Sequence, residues 1–212
     1  RYNVGLQLKV ASFFMHSFTT ERLLIRPLAE QDKTVYLSLY TDAKVMRHIG
    51  EPLSVAAAEK AFSATLKAMT KAEPKVLTWA IVEKDTATLI GLQALTFSNS
   101  DNIAEIGIML TPAANGRLFP EEAMGALMEY GFTHMQLTSI NAIYSHKNLA
   151  TERFVNKLGF TVNLKSEQKL RNTRHQYIEP HMWQHPVITT ILPKDEISHC
   201  PTKRFSANLY AQ

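Results

Sequence analysis

The sequence predicts an α/β (α+β) domain built on a mixed, mostly antiparallel central sheet of about seven strands, with helices on both faces. Three observations carry this. Residues 76–110 hold three consecutive β-patterned runs. The first two are joined by Lys84-Asp85-Thr86-Ala87 as in a hairpin, and the third follows a polar turn at 98–102. Segments 54–73 and 120–135 repeat apolar residues at helical spacing. Between residues 103 and 144, strand, loop, helix and strand follow one another, the order of a crossover unit.

At 212 residues the chain can bury one good core and is short of two ordinary domains. With 45% hydrophobic and 20% charged residues it is globular in composition, and no apolar run is long enough to span a bilayer, so no membrane partner is expected. A net charge of +4, spread along the chain, favours an anionic ligand such as a phosphorylated cofactor and is too small to argue for nucleic acid. The single cysteine, Cys200, cannot form an internal disulfide, which points to a reducing cytoplasm. The chain opens on Arg1 rather than methionine, which leaves room for an upstream segment or a processed leader.

Residues 1–17 read as an N-terminal arm whose Phe13, Phe14 and Met15 dock on their own domain or on a second subunit of a homodimer. The domain proper is expected over 18–184. Thr19–Leu28 is a strand, with Leu23 and Ile25 on one face and Leu24 on the other. Glu30–Tyr40 is a helix with Val35 and Leu39 in its core stripe, and Asp42–Gly50 continues to a glycine stop. Ser54 starts a longer helix carrying Val55, Ala58, Phe62, Leu66 and Met69, ended by Pro74. Val76–Glu83 and Leu89–Phe97 form the hairpin, with Leu77, Trp79 and Ile81 alternating, and Ile103–Leu110 is the third strand.

After the turn Thr111–Phe119, Pro120 opens a helix in which Met124, Leu127, Met128, Gly131 and Met135 form one buried face. Glu121 and Glu122 put negative charge in its first turn, where the helix dipole favours it. Ser139–Tyr144 is a strand and Asn148–Leu158 a short helix. Strand, loop and helix N-terminus make a cradle of backbone N–H groups suited to a phosphate-bearing ligand. Beyond Phe160, Thr161–Leu164 is a strand, 165–174 is a basic stretch, and His175–Trp183 is the return strand. Lys165, Lys169, Arg171 and Arg174 belong either to a solvated hairpin tip or to a surface that meets an acidic acceptor. Residues 185–212 form a C-terminal extension: an extra strand, a dimer arm or a loose end.

The run from Glu105-Ile106-Gly107-Ile108-Met109-Leu110 through Ala114-Asn115-Gly116-Arg117 and Glu121-Glu122-Ala123-Met124 resembles the central half of the GNAT superfamily of N-acyltransferases, and Ala150-Thr151-Glu152-Arg153-Phe154 to Lys157-Leu158-Gly159-Phe160 continues the match. Within it the chain is most similar to the RimJ/RimL-like branch, which acetylates the N-termini of ribosomal proteins. Thr20-Glu21-Arg22-Leu23-Leu24-Ile25-Arg26-Pro27-Leu28 resembles that branch's opening strand, so the match runs over about 18–180.

The resemblance implies a GNAT fold and an acetyl group moved from acetyl-CoA to a primary amine, of a protein N-terminus or a small molecule. By resemblance, the backbone of Ile108, Met109 and Leu110 pairs with the pantetheine amides as an added strand would. Asn115, Gly116, Arg117, Leu118 and Phe119 supply N–H groups to the pyrophosphate, and Asn148 touches the cofactor. Glu105 is the candidate base, acting through water. An α-amine of pKa 7.7–8.0 costs only about 1 kcal/mol to deprotonate at neutral pH, against roughly 4–5 for lysine, so a partly exposed glutamate suffices for the first. Thr151 is the candidate proton donor to the departing thiolate, with Tyr144 in reserve. Val155 stands where other relatives place a tyrosine. Arg47, His48, Trp79 and Gln93 are candidate acceptor contacts. Structural readings stand beside these: a strand carboxylate with a structural partner for Glu105, a helix N-cap for Asn148, a first-turn filler for Thr151, a solvated arginine and a helix-capping histidine for Arg47 and His48.

One departure matters. The family loop reads Gln/Arg-x-x-Gly-x-Gly/Ala, and aligning Asn115 with its first position places Leu118 and Pro120 where small residues belong. A positive φ at Leu118 would cost on the order of 1–2 kcal/mol, and Pro120 removes one N–H donor. This keeps two rivals open: a longer acyl-CoA or an acyl carrier protein as donor, and a silent binding module with the same fold. The enzyme reading also requires that Leu118 and Phe119 leave room for a pantetheine arm. No metal site is expected: His181 and His185 would lie roughly 13 Å apart on a strand. Cys200 sits in no nucleophile motif.

Overall fold

The structure, a computed structural model, describes residues 15–98, 102–114, 116–163 and 172–192. Its elements run β1 (Ser17–Thr19), β2 (Leu23–Pro27), α1 (Lys33–Thr41), α2 (Ala43–Met46), α3 (Val55–Met69), β3 (Val76–Glu83), β4 (Thr88–Phe97), β5 (Ile103–Leu110), α4 (Phe119–Thr133), β6 (Ser139–Ser145), α5 (Leu149–Lys157), β7 (Thr161–Val162), β8 (Thr173–Ile178) and β9 (Thr190–Leu192). The nine strands form one sheet in the order β7-β8-β6-β5-β4-β3-β2-β1-β9. Every neighbouring pair is antiparallel except β5 and β6. This is the mixed, mostly antiparallel sheet that the sequence predicts, with two strands more than expected.

Each extra strand has an identifiable cause. The single strand expected over Thr19–Leu28 is broken by a tight turn, in which Thr20 N–H donates to the Leu23 carbonyl (2.9 Å) and Leu23 N–H donates to the Thr20 hydroxyl (3.0 Å). β1 therefore folds back on β2. In the C-terminal extension β9 pairs with β1, and the Glu129 carboxylate on α4 accepts from Val187 N–H (2.6 Å) and Ile188 N–H (3.1 Å). The return strand is shorter than expected and ends at Ile178, where Pro180 begins a short 3-10 turn.

β3 is buried along almost its whole length, so it packs helices on both faces. On one face Leu77, Trp79, Ile81 and Leu95 meet Ala123, Leu127 and Tyr130 of α4. On the other, Ala80 and Leu92 meet Tyr36 and Leu39 of α1 and Phe62 of α3. The helical stripe of α3 holds at Ala58 and Phe62, but Val55 in its first turn is exposed. In α1 the buried residues are Tyr36 and Leu39, and Val35 is only partly covered. Ser54 caps α3, its hydroxyl accepting from Ala57 N–H at 3.2 Å.

The corner from β2 into α1 is pinned by a buried ion pair. Arg26 (4% exposed) and Asp32 (1% exposed) make two parallel hydrogen bonds of 2.7 and 2.6 Å, and Asp32 also accepts from Ala29 N–H at 2.9 Å. Removing one partner strands the other charge in a dry interior. Arg26→Met is therefore expected to lower stability by about 3–5 kcal/mol in denaturant unfolding, and Arg26→Met with Asp32→Leu to recover most of that loss.

Candidate active site

β5 and β6 pair only from Ile103 to Glu105 against Ser139 to Asn141. Beyond that point β5 stays with β4 up to Leu110, while β6 stays with β8 up to Ser145. The two strands part, and the β6-facing edge of β5 from Ile106 to Leu110 has no strand across it. A cleft of about 1390 Å³ opens there. Its walls include Ile108, Met109 and Leu110 of β5, Gly116, Leu118 and Pro120 before and within the first turn of α4, Tyr144 of β6, and Asn148 and Thr151 of α5. Glu105, Gln93 of β4, and Tyr40 and His48 of the α1–α2 wall complete it.

Most of the residues singled out in the sequence therefore meet in one cleft. Asn148 also caps α5, its side-chain oxygen accepting from Thr151 N–H at 3.2 Å, so the capping and cleft-lining roles coincide. The Tyr144 hydroxyl donates to the Gln176 side-chain oxygen at 2.5 Å, and the Gln176 amide donates to Asn156 at 2.7 Å, which commits that proton to a buried relay. Trp79 does not line the cleft. It is fully buried, with its indole N–H donating to the His16 carbonyl at 3.3 Å, because its alternation with Leu77 and Ile81 sends it under α4. Arg47 also stays off the cleft wall, its guanidinium donating to the His48 ring at 3.2 Å. Asn115 lies outside the described residues, as do Lys165, Lys169 and Arg171.

The loop before α4 is held from behind. Phe119 is fully buried, and the guanidiniums of Arg22 and Arg117 lie 4.7 and 4.6 Å from its ring centroid. Arg117 pairs with Glu83 at 2.5 Å, and Arg22 donates to the Arg117 carbonyl (2.8 Å) and to Glu122 (2.6 Å). Burial alone would raise the Glu83 carboxyl, but the Thr86 hydroxyl, Arg117 and the charge of Arg22 outweigh it and hold the pKa below the usual range. The Phe119 ring and the Arg117 side chain thus serve the scaffold, and neither residue lines the cleft. Leu118 takes the left-handed conformation (φ 58°, ψ 18°) and offers α4 no side-chain cap. Its side chain is 57% exposed at the cleft margin, and the space between the strands stays open.

Glu105 stands on the open wall of the cleft. Partial desolvation pushes its carboxyl above the ordinary range, and the charge of His175 pulls it part of the way back. Strand register explains the neighbour: Glu105 pairs with Asn141, and two residues on, Ile143 pairs with His175, so all four side chains share one face of the sheet. The Tyr40 phenol, stacked on Tyr36 at 4.4 Å, is pushed far above its usual range by burial, with Tyr36 adding to the shift, so it stays neutral. Sequence reasoning missed Arg153 and Lys157, which line the cleft one helical turn apart on α5. Their i, i+4 spacing after the Asn148 cap was the available signal. Glu121 lines it too, 3.9 Å from the Lys157 amine. Among the described residues no three His, Cys, Asp or Glu side chains gather as metal ligands.

The sheet is mixed and splays between two parallel strands, with a helix N-terminus at the mouth of the gap. Residues 22–161 match the family model of the acetyltransferase (GNAT) domain, and the chain belongs to that family. Among curated proteins it is 30% identical over 145 residues to the uncharacterized N-acetyltransferase YnaD of Bacillus subtilis (68% of this chain, 82% of that protein). It is 28% identical over 144 residues to the uncharacterized N-acetyltransferase YoaA of the same organism (66% of this chain, 80% of that protein). Its fold is shared with spermidine N-acetyltransferase from Vibrio cholerae, solved with CoA and spermine (TM-score 0.66, 18% identity, 76% of this chain and 97% of that one). It is likewise shared with the ribosomal-protein-S5-alanine acetyltransferase of Vibrio fischeri (TM-score 0.63, 14% identity, 80% and 99%).

Because Leu118 is exposed and left-handed, glycine there should relieve backbone strain without opening a hole. Leu118→Gly is expected to raise stability by about 1 kcal/mol in urea unfolding, the relief being partly offset by the freer unfolded chain.

Proposed function

We propose that the cleft transfers an acetyl group from acetyl-CoA to a primary amine by direct attack in a ternary complex. The observation that carries this reading is the unpartnered edge of β5 beside Glu105 in one continuous cleft. The main chain of Ile108 to Leu110 binds the pantetheine arm by strand addition. Backbone N–H groups around Gly116 and the uncapped start of α4 take the pyrophosphate, with Arg153 and Lys157 adding positive charge nearby. The left-handed turn at Leu118 persists although leucine occupies it. A loop that keeps this shape despite its residue supports an acyl-CoA donor over a carrier protein, which has no pyrophosphate to bind there.

Glu105 accepts, through water, the proton that the amine loses as its nitrogen bonds to the acyl carbon. As the carbon–sulfur bond breaks, Thr151 supplies the thiolate with a proton. Tyr144 is the weaker candidate for that role because its own proton is already donated to Gln176. A raised pKa makes Glu105 a stronger base than an ordinary glutamate. His48 belongs to the acceptor side and Gln93 to the cleft wall beside Ile108, whereas Trp79 and Arg47, outside the cleft, take no part. A ribosomal-protein N-terminus, the acceptor suggested by the RimJ/RimL-like sequence pattern, and a small-molecule amine both fit this chemistry.

The carboxylate is lost as pH falls through its raised pKa, so the acid limb of kcat/KM should lie above the ordinary glutamate value of about 4.3. Glu105→Gln is expected to lower kcat/KM about 100-fold and to remove that limb, measured by thiol release across pH. Unchanged turnover in the variant would contradict the assignment of the base.

A further inference from the structure

Gln93 lies at the middle of β4, directly opposite Trp79 on β3 and Ile108 on β5. Directly opposed residues of antiparallel strands project to the same face, so its carboxamide stands among apolar side chains. It is 1% exposed and lines the cleft, yet among the described residues neither its oxygen nor its nitrogen has a hydrogen-bond partner. Leaving both ends of a buried amide unpaired is costly. The same chain shows how it treats a buried glutamine that serves structure: Gln176 accepts from Tyr144 and donates to Asn156. Among the described residues nothing does this for Gln93.

The partner that fits is set by the chemistry of the side chain. A carboxamide offers N–H donors and a carbonyl acceptor together, and its complement is a group offering both in the same arrangement. A secondary amide does so. A protonated amine only donates, and a carboxylate only accepts. We propose that Gln93 is a ligand-binding residue whose carboxamide pairs with a secondary amide of a bound reactant. This rests on the transferase reading, within which two reactants carry such amides: the pantetheine arm, and a peptide acceptor behind its terminal amine. An amide-free polyamine has none to offer.

The test uses the full chain and the near-isosteric variant Gln93→Met. CoA affinity is measured by calorimetry, and kcat/KM by thiol release, with a short peptide and with a polyamine as acceptors. If the amide is the pantetheine's, CoA affinity falls about tenfold while the peptide kcat/KM at saturating acetyl-CoA holds. If it is the acceptor's, the peptide kcat/KM falls about tenfold while CoA affinity holds. In both cases the melting temperature stays at or above that of the wild type, because an unpaired buried amide has been removed. CoA affinity and peptide turnover both within about twofold of wild type would overturn the proposal. So would a lower melting temperature, in Gln93→Met or in Gln93→Leu, since it would mean that the carboxamide already has a partner inside the protein. Wild-type protein that neither binds CoA nor releases thiol defeats the transferase reading itself. Wild-type protein that does both, with an unmoved variant, defeats only the role of Gln93.

Discussion

β5 and β6 begin as parallel neighbours and cannot stay so. Three residue pairs, Ile103–Glu105 with Ser139–Asn141, are all the pairing they make. From there β5 follows β4 and β6 follows β8, and each strand's other edge is fully paired. The unpaired edge left between them is the resource on which the cleft depends. Backbone N–H and C=O groups in a sheet are rarely left without partners. Here they line a space into which an extended, amide-bearing ligand can lie as a strand. Glu105, in the last pair before the gap, is placed at its apex by the same register.

The second constraint holds the far end of the cleft. Phe119 is the residue through which the loop grips the core, and the two guanidiniums on its ring extend that grip to β2 and β3. Arg22 reaches Glu122, and Arg117 reaches Glu83, so α4 and the preceding loop are tied to the sheet at four charged groups. This stiffness lets a leucine hold a left-handed turn that its Cβ opposes. Local propensity loses there to a network of long-range contacts, which accounts for a left-handed turn at a residue that disfavours it.

The fold was legible because its signals are local. Hairpin alternation, the Ser54 cap, the Pro120 helix start and the apolar faces of the long helices all lie within a few residues of the structure they specify. The turn at Thr20 and the docking of β9 were not legible, since their partners, Glu122, Glu129 and β1, are distant in sequence. At the site, the resemblance put Glu105, Asn148 and Thr151 in one cleft, and the structure places them there. Trp79 shows the limit of such a reading. An aromatic on a strand of the right sheet serves core or cleft according to its distance from the gap, and β3, two strands away from β5, is buried on both faces. Gln93, opposite it in register, reaches the cleft and lacks a partner, a fact that only packing could reveal.

Capture of an acyl carrier by the free edge of β5 is tested most directly by amide hydrogen exchange with and without CoA. The account predicts that CoA slows exchange at main-chain amides within Ile106–Leu110 and around Gly116, with little change in β2 and β3, whose edges are already paired. CoA binding that leaves the amides of Ile106–Leu110 exchanging as fast as in the free protein would contradict it.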